Sequence, residues 1–96
     1  MSDDVVGNVT DATPRADVPT AAAVLAHIVR SIVDDPDAVA VEVTPDGSRA
    51  RLDVRVGPGD LGRVIGRRGR TAASIRTVTR AAAAKDGVDV DIEFLD

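Results

Sequence analysis

Between Leu61 and Lys85 the chain carries seven positive side chains (Arg63, Arg67, Arg68, Arg70, Arg76, Arg80 and Lys85) and no negative one, although its net charge is −4. At the centre of this run stands Val64-Ile65-Gly66-Arg67-Arg68-Gly69-Arg70, in which two glycines bracket two arginines. Glycine lets a tight loop take left-handed backbone angles and lets its main chain come close to another backbone. Arginines beside it supply charge, and the N–H groups that open the next helix supply donors. Together these are the means of gripping the phosphates of a single-stranded nucleic acid. The bland alternative is a plain helix–loop–helix turn with solvated arginines, and three successive cationic non-Gly positions argue against it.

Elements that could position such a loop are legible on both sides. Val24, Leu25, Ile28, Val29, Ile32 and Val33 follow the stripe of an amphipathic helix starting near Thr20, and Asp34-Asp35-Pro36 should end it. Val39, Val41 and Val43 alternate with polar residues, as do Ala50, Leu52, Val54 and Val56 after Pro45-Asp46-Gly47. That pattern is a hairpin with its turn at Pro-Asp-Gly. Asp60 is placed to cap a short helix, and a longer one should run from Arg70 to Lys85 with Ala72, Ile75, Val78 and Ala82 inward, stopping at Gly87. Val88, Val90, Ile92 and Phe94 give a last strand whose acids Asp89, Asp91 and Glu93 complement Arg51 and Arg55. It should therefore lie beside residues 49–56, parallel to them, because two helices intervene.

The expected fold class is α+β, in the order α-β-β-α-α-β, with a three-stranded mixed sheet and helices on one face. Residues 1–19, with Pro14, Pro19 and several Asp, read as a flexible N-terminal tail, and 20–96 as the domain. With the +7 of residues 61–85 set aside, the rest of the chain carries −11. Nucleic acid should thus meet one basic face and be repelled elsewhere.

Other chemistries find little support. There is no cysteine, so there is no disulfide, thiolate nucleophile or Cys-based zinc site. Gly57-Pro58-Gly59-Asp60-Leu61-Gly62 has the spacing of a dinucleotide-binding turn, but Asp60 would stand where a pyrophosphate must sit. His27 has no second ligand, and Asp34, Asp35 and Asp37 lack calcium-loop spacing. No cofactor, metal, small-molecule substrate or catalytic constellation is expected. Nor does the acidic start Met1-Ser2-Asp3-Asp4 resemble an export signal, so a cytoplasmic, membrane-free protein is expected.

The run Asp60-Leu61-Gly62-Arg63-Val64-Ile65-Gly66-Arg67-Arg68-Gly69-Arg70-Thr71-Ala72 resembles the bacterial KhpA family of small single-KH-domain proteins. The resemblance extends from about Thr20 to Phe94 and implies a type II KH arrangement, in which the Gly-x-x-Gly loop holds RNA backbone. It implies RNA contacts at Arg63, Ile65, Gly66, Arg67, Arg68, Gly69, Arg70 and Thr71, a groove beside Ile65 with little base preference, and an RNA-chaperone or post-transcriptional role. Partners implied are single-stranded RNA, a second copy of the chain and a KhpB (Jag-type, KH-containing) protein, with a link to cell shape and cell-wall biogenesis in some bacteria. The rival reading is a protein-interaction or ribosome-associated adaptor in which RNA contact is secondary.

Overall fold

The computed structural model describes residues 18–96. Helix α1 (Pro19–Ile32) is followed by a 3-10 turn at Pro36–Ala38, strands β1 (Ala40–Asp46) and β2 (Arg49–Arg55), a five-residue helix α2 (Leu61–Ile65), a second 3-10 turn at Arg67–Gly69, helix α3 (Arg70–Lys85) and strand β3 (Asp89–Leu95). The sheet order is β1-β2-β3, with β1 antiparallel and β3 parallel to β2. This is the expected α+β order and the expected mixed sheet.

The tail expected over 1–19 lies outside the described residues except for its last two, which belong to the fold. Val18 is buried at 2% exposure, and Pro19 occupies the first turn of α1, where its fixed φ fits and no N–H is missed. Alternate residues of the strands (Ala50, Leu52, Val54; Val90, Ile92) turn toward the helices and meet Ala21, Leu25 and Val29 of α1 and Ile75 and Ala83 of α3. The opposite sheet face is charged. There Arg49 reaches Asp91 at 2.9 Å and Asp89 at 3.7 Å, while Arg51 turns to Asp53 of its own strand at 3.0 Å. The hydrogen bonds to Asp91 and Asp53 hold the two guanidinium pKa values above the usual arginine range. Complementarity between β2 and β3 was thus expected correctly, but Arg49 carries it in place of Arg51 and Arg55. In the parallel register Arg49 stands opposite Asp89, next to Asp91, while Arg55 stands opposite Leu95.

Three other local expectations are corrected. The hairpin turn is Gly47-Ser48, since Asp46 pairs with Arg49 and Pro45 with Ala50. Gly47 takes φ 63°, and Pro45 is tolerated because β1 is an edge strand. On α3 the inward position is Thr79, fully buried, whereas Val78 is 47% exposed. At 100° per residue Thr79 lies between Ile75 and Ala83, and Val78 falls to the flank. Thr79 can be buried because its hydroxyl donates to the Ile75 carbonyl at 2.7 Å.

Asp60 makes no capping bond to α2. Its carboxylate is buried at 2% exposure and accepts the backbone N–H groups of Asp34 and Asp35, each at 3.1 Å. Arg63 closes the cluster, 2.9 Å from Asp34 and 3.6 Å from Asp60. Asp60 thereby ties the end of α1 to the start of α2. Asp60→Ala, which leaves two amides without their acceptor and Arg63 with Asp34 alone, should lower stability by about 2–3 kcal/mol in thermal or denaturant unfolding.

Candidate nucleic-acid interface

Helix α2 is too short to be stable alone and depends on Val64, fully buried, with Leu61 packed against the core. It ends at Gly66, whose N–H donates to the Gly62 carbonyl at 2.9 Å and whose φ of 75° and ψ of 175° suit glycine alone. Thr71 fills the space a side chain on Gly66 would need: an added Cβ would lie 2.6 Å from the Thr71 Cβ and 3.0 Å from its backbone nitrogen. The chain then turns through Arg67, Arg68 and Gly69, with the Gly69 N–H donating to the Gly66 carbonyl at 3.2 Å.

Two residues of this turn are left-handed. Gly69 has φ 72°, and Arg68, at φ 55° and ψ 25°, is the one non-glycine residue with positive φ among the described residues. For a residue with a side chain, that conformation costs about 1 kcal/mol. It turns Arg68 outward between two glycines. Helix α3 starts immediately afterward, and no side chain caps its first N–H groups. The Arg70 N–H donates to the Arg67 carbonyl, and the positive end of a sixteen-residue helix without a side-chain cap therefore stands beside the arginines.

The six arginines of this region divide by what they touch. Arg67, Arg68 and Arg70 are exposed, line one open hollow, and form no ion pair among the described residues. Arg63, expected at the RNA site, is engaged by Asp34 and Asp60, so its charge is already balanced. Arg76 donates from Nε to the Ile92 carbonyl at 3.4 Å and lies over the Phe94 ring. Arg80 lines a second hollow with Arg49, Asp89 and Asp91. Ile65 is half-buried and stands outside the core cluster, next to the loop, whereas Ile75 is core at 3% exposure. Thus Ile65, Gly66, Arg67, Arg68, Gly69, Arg70 and Thr71 are brought together, with Thr71 serving as the wall against which Gly66 packs. His27 is exposed, and among the described residues no group of three or more His, Asp or Glu is placed to hold a metal ion.

Sequence reasoning missed the Asp60 cluster and the Arg76–Phe94 pair. A carboxylate set between Gly-Pro-Gly and an apolar run, and a lone aromatic residue on the last strand, were the available signals.

The domain model of the KhpA/KhpB KH domain matches residues 22–94, which include the loop, all three strands and most of α1. The chain belongs to this family. Similar proteins, each called RNA-binding protein KhpA, include one from Streptomyces coelicolor, 51% identical over 73 residues covering 75% of this chain and 90% of the relative. One from Leifsonia xyli subsp. xyli is 49% identical over 72 residues, 75% of this chain and 92% of the relative. One from Clostridium acetobutylicum is 42% identical over 71 residues, 74% of this chain and 95% of the relative. A KhpA/KhpB KH domain accounts for the element order observed here, since its two loop-flanking helices lie between parallel strands.

Proposed function

We propose that this chain is a non-catalytic, cytoplasmic, single-stranded RNA-binding protein that holds the RNA backbone at Gly66-Arg67-Arg68-Gly69. One observation carries the reading. Three exposed arginines without carboxylate partners among the described residues meet at a loop whose glycines permit close approach, directly before an uncapped helix N-terminus. Phosphate contacts dominate nucleic-acid affinity, and this is where unbalanced positive charge collects. The names of its KhpA relatives, RNA-binding proteins, support the assignment. Among the described residues no helix is long and apolar enough to cross a membrane. The unit that acts is residues 20–96 together with Val18 and Pro19, and its role is that of an RNA chaperone or post-transcriptional regulator.

The test is binding to a short unstructured RNA as a function of salt. A loop contacting about three to five phosphates gives a log–log slope of roughly −2 to −4. A slope near zero, or no binding, sinks the proposal.

A single KH module covers few nucleotides, so association with a second copy or a KhpB-type protein would raise affinity through effective concentration. Among the described residues Val78 is the large apolar side chain left exposed, at 47%, and such a contact on α3 would cover it. Sedimentation at micromolar concentration should show self-association, and Val78→Lys should weaken it while changing stability by no more than about 0.5 kcal/mol. If the chain instead associates fully and ignores RNA, the adaptor reading replaces the clamp.

A further inference from the structure

Phe94 is the only aromatic residue in the chain, so a base cannot be held between rings as in other RNA-binding folds. The structure nevertheless pairs that ring with a planar cation. The guanidinium of Arg76 lies over the Phe94 ring, with Cζ 5.1 Å from the ring centroid, and its Nε donates to the Ile92 carbonyl at 3.4 Å. Both side chains are half-buried, and Arg76 forms no ion pair among the described residues. The ring lies beneath the guanidinium while the carbonyl, at the long end of hydrogen-bond distance, restricts its swing. A guanidinium used only to meet phosphate needs neither constraint, and one used only for solubility would be solvated.

Position points the same way. Arg76 is six residues beyond Arg70 on α3, about 9 Å along the helix axis, and it leans toward β3, an edge of the sheet. A strand whose phosphates are held at Arg67, Arg68 and Arg70 can extend a base along α3 toward this pair. Planar guanidinium groups stack bases much as aromatic rings do.

We propose that the planar guanidinium of Arg76, placed over Phe94, is a base-stacking platform that gives this site a preference for purines over pyrimidines. The inference rests on the RNA-clamp reading and adds base selectivity to a loop that by itself reads only backbone. Purines present the larger π face, so the platform favours them.

The experiment is titration of the full chain with short oligoadenylate and oligouridylate of equal length, across salt concentrations. Wild type should bind oligoadenylate about tenfold more tightly. Arg76→Lys keeps the charge and loses the plane, so the ratio should fall toward one while the salt slope stays unchanged. Phe94→Leu should shift the ratio the same way, because the guanidinium loses its support, with thermal unfolding confirming a folded protein. An Arg76→Lys variant that keeps the wild-type ratio makes Arg76 a phosphate contact or a packing residue and overturns the platform. Wild-type binding without any ratio overturns it alone and leaves the clamp standing. Binding of neither oligomer overturns the clamp, and the platform with it.

Discussion

Arg67→Asp combined with Arg68→Asp is expected to weaken RNA binding by at least about a hundredfold while leaving the protein folded. Both side chains are exposed and bond to nothing among the described residues, so no native contact is lost. Arg68 sits at φ 55°, a conformation that Asp accepts more readily than most residues, so the stability change should stay within about 1 kcal/mol. Binding loses two charge-assisted contacts, each of about 1.5–3 kcal/mol, and gains two charges that repel phosphate. Arg30→Asp is the control. Arg30 lies on α1, and its one side-chain bond among the described residues, to the Val39 carbonyl, is long at 3.4 Å. RNA affinity and thermal unfolding of both variants decide the matter. A double variant that binds like wild type and melts normally removes the loop from the site.

Gly66→Ala should be the most damaging single-methyl change in the loop, lowering stability by about 3 kcal/mol or more. Two costs combine: a backbone conformation reserved for glycine, about 1–3 kcal/mol, and forced contact with Thr71, about 1–3 kcal/mol. The contact is not relieved by a rotamer change, because the Thr71 Cβ and backbone nitrogen are themselves too close. Gly69→Ala provides the comparison. It has the same sign of φ, at 72°, but open space where the methyl would go. It should cost only about 1 kcal/mol. Denaturant unfolding of the pair separates the two contributions, and equal losses would show that Thr71 does not constrain Gly66.

The period of the apolar residues was enough to reveal both long helices and the three strands, because each element buries one face only, while the parallel pairing of β2 with β3 followed from charge complementarity and the two helices between them. The clustering of Gly66, Arg67, Arg68, Gly69 and Arg70 was legible for a different reason: the residues are contiguous, and the two glycines announce the turn. What the sequence hid was long-range and depended on register or rotation. Arg49 in place of Arg51 meets the acids of β3 because Arg51, although opposite Asp91, turns to Asp53 of its own strand, a side-chain choice that no local pattern specifies. Thr79 replaces Val78 in the core because a hydroxyl can be satisfied by its own helix, which a hydropathy pattern does not reveal. The ion pairs of Arg63 were hidden too, because Asp34 is distant in sequence and Asp60 reads as a helix cap.

Through its bonds to the Asp34 and Asp35 amides, Asp60 closes a segment that contains the entire β1–β2 hairpin. Asp34 and Asp35 are exposed residues after the end of a helix, a place where amide protons ordinarily exchange with water at nearly the free rate. Here the two protons can leave only when the carboxylate separates from them, which requires α1 and α2 to part. Their exchange is therefore expected to be slow and to track global unfolding, with Asp60→Ala returning both to the fast, local regime. Since Asp60 immediately precedes α2, these two protons report, from the far side of the hairpin, on whether the Gly66–Gly69 loop is still mounted on the fold.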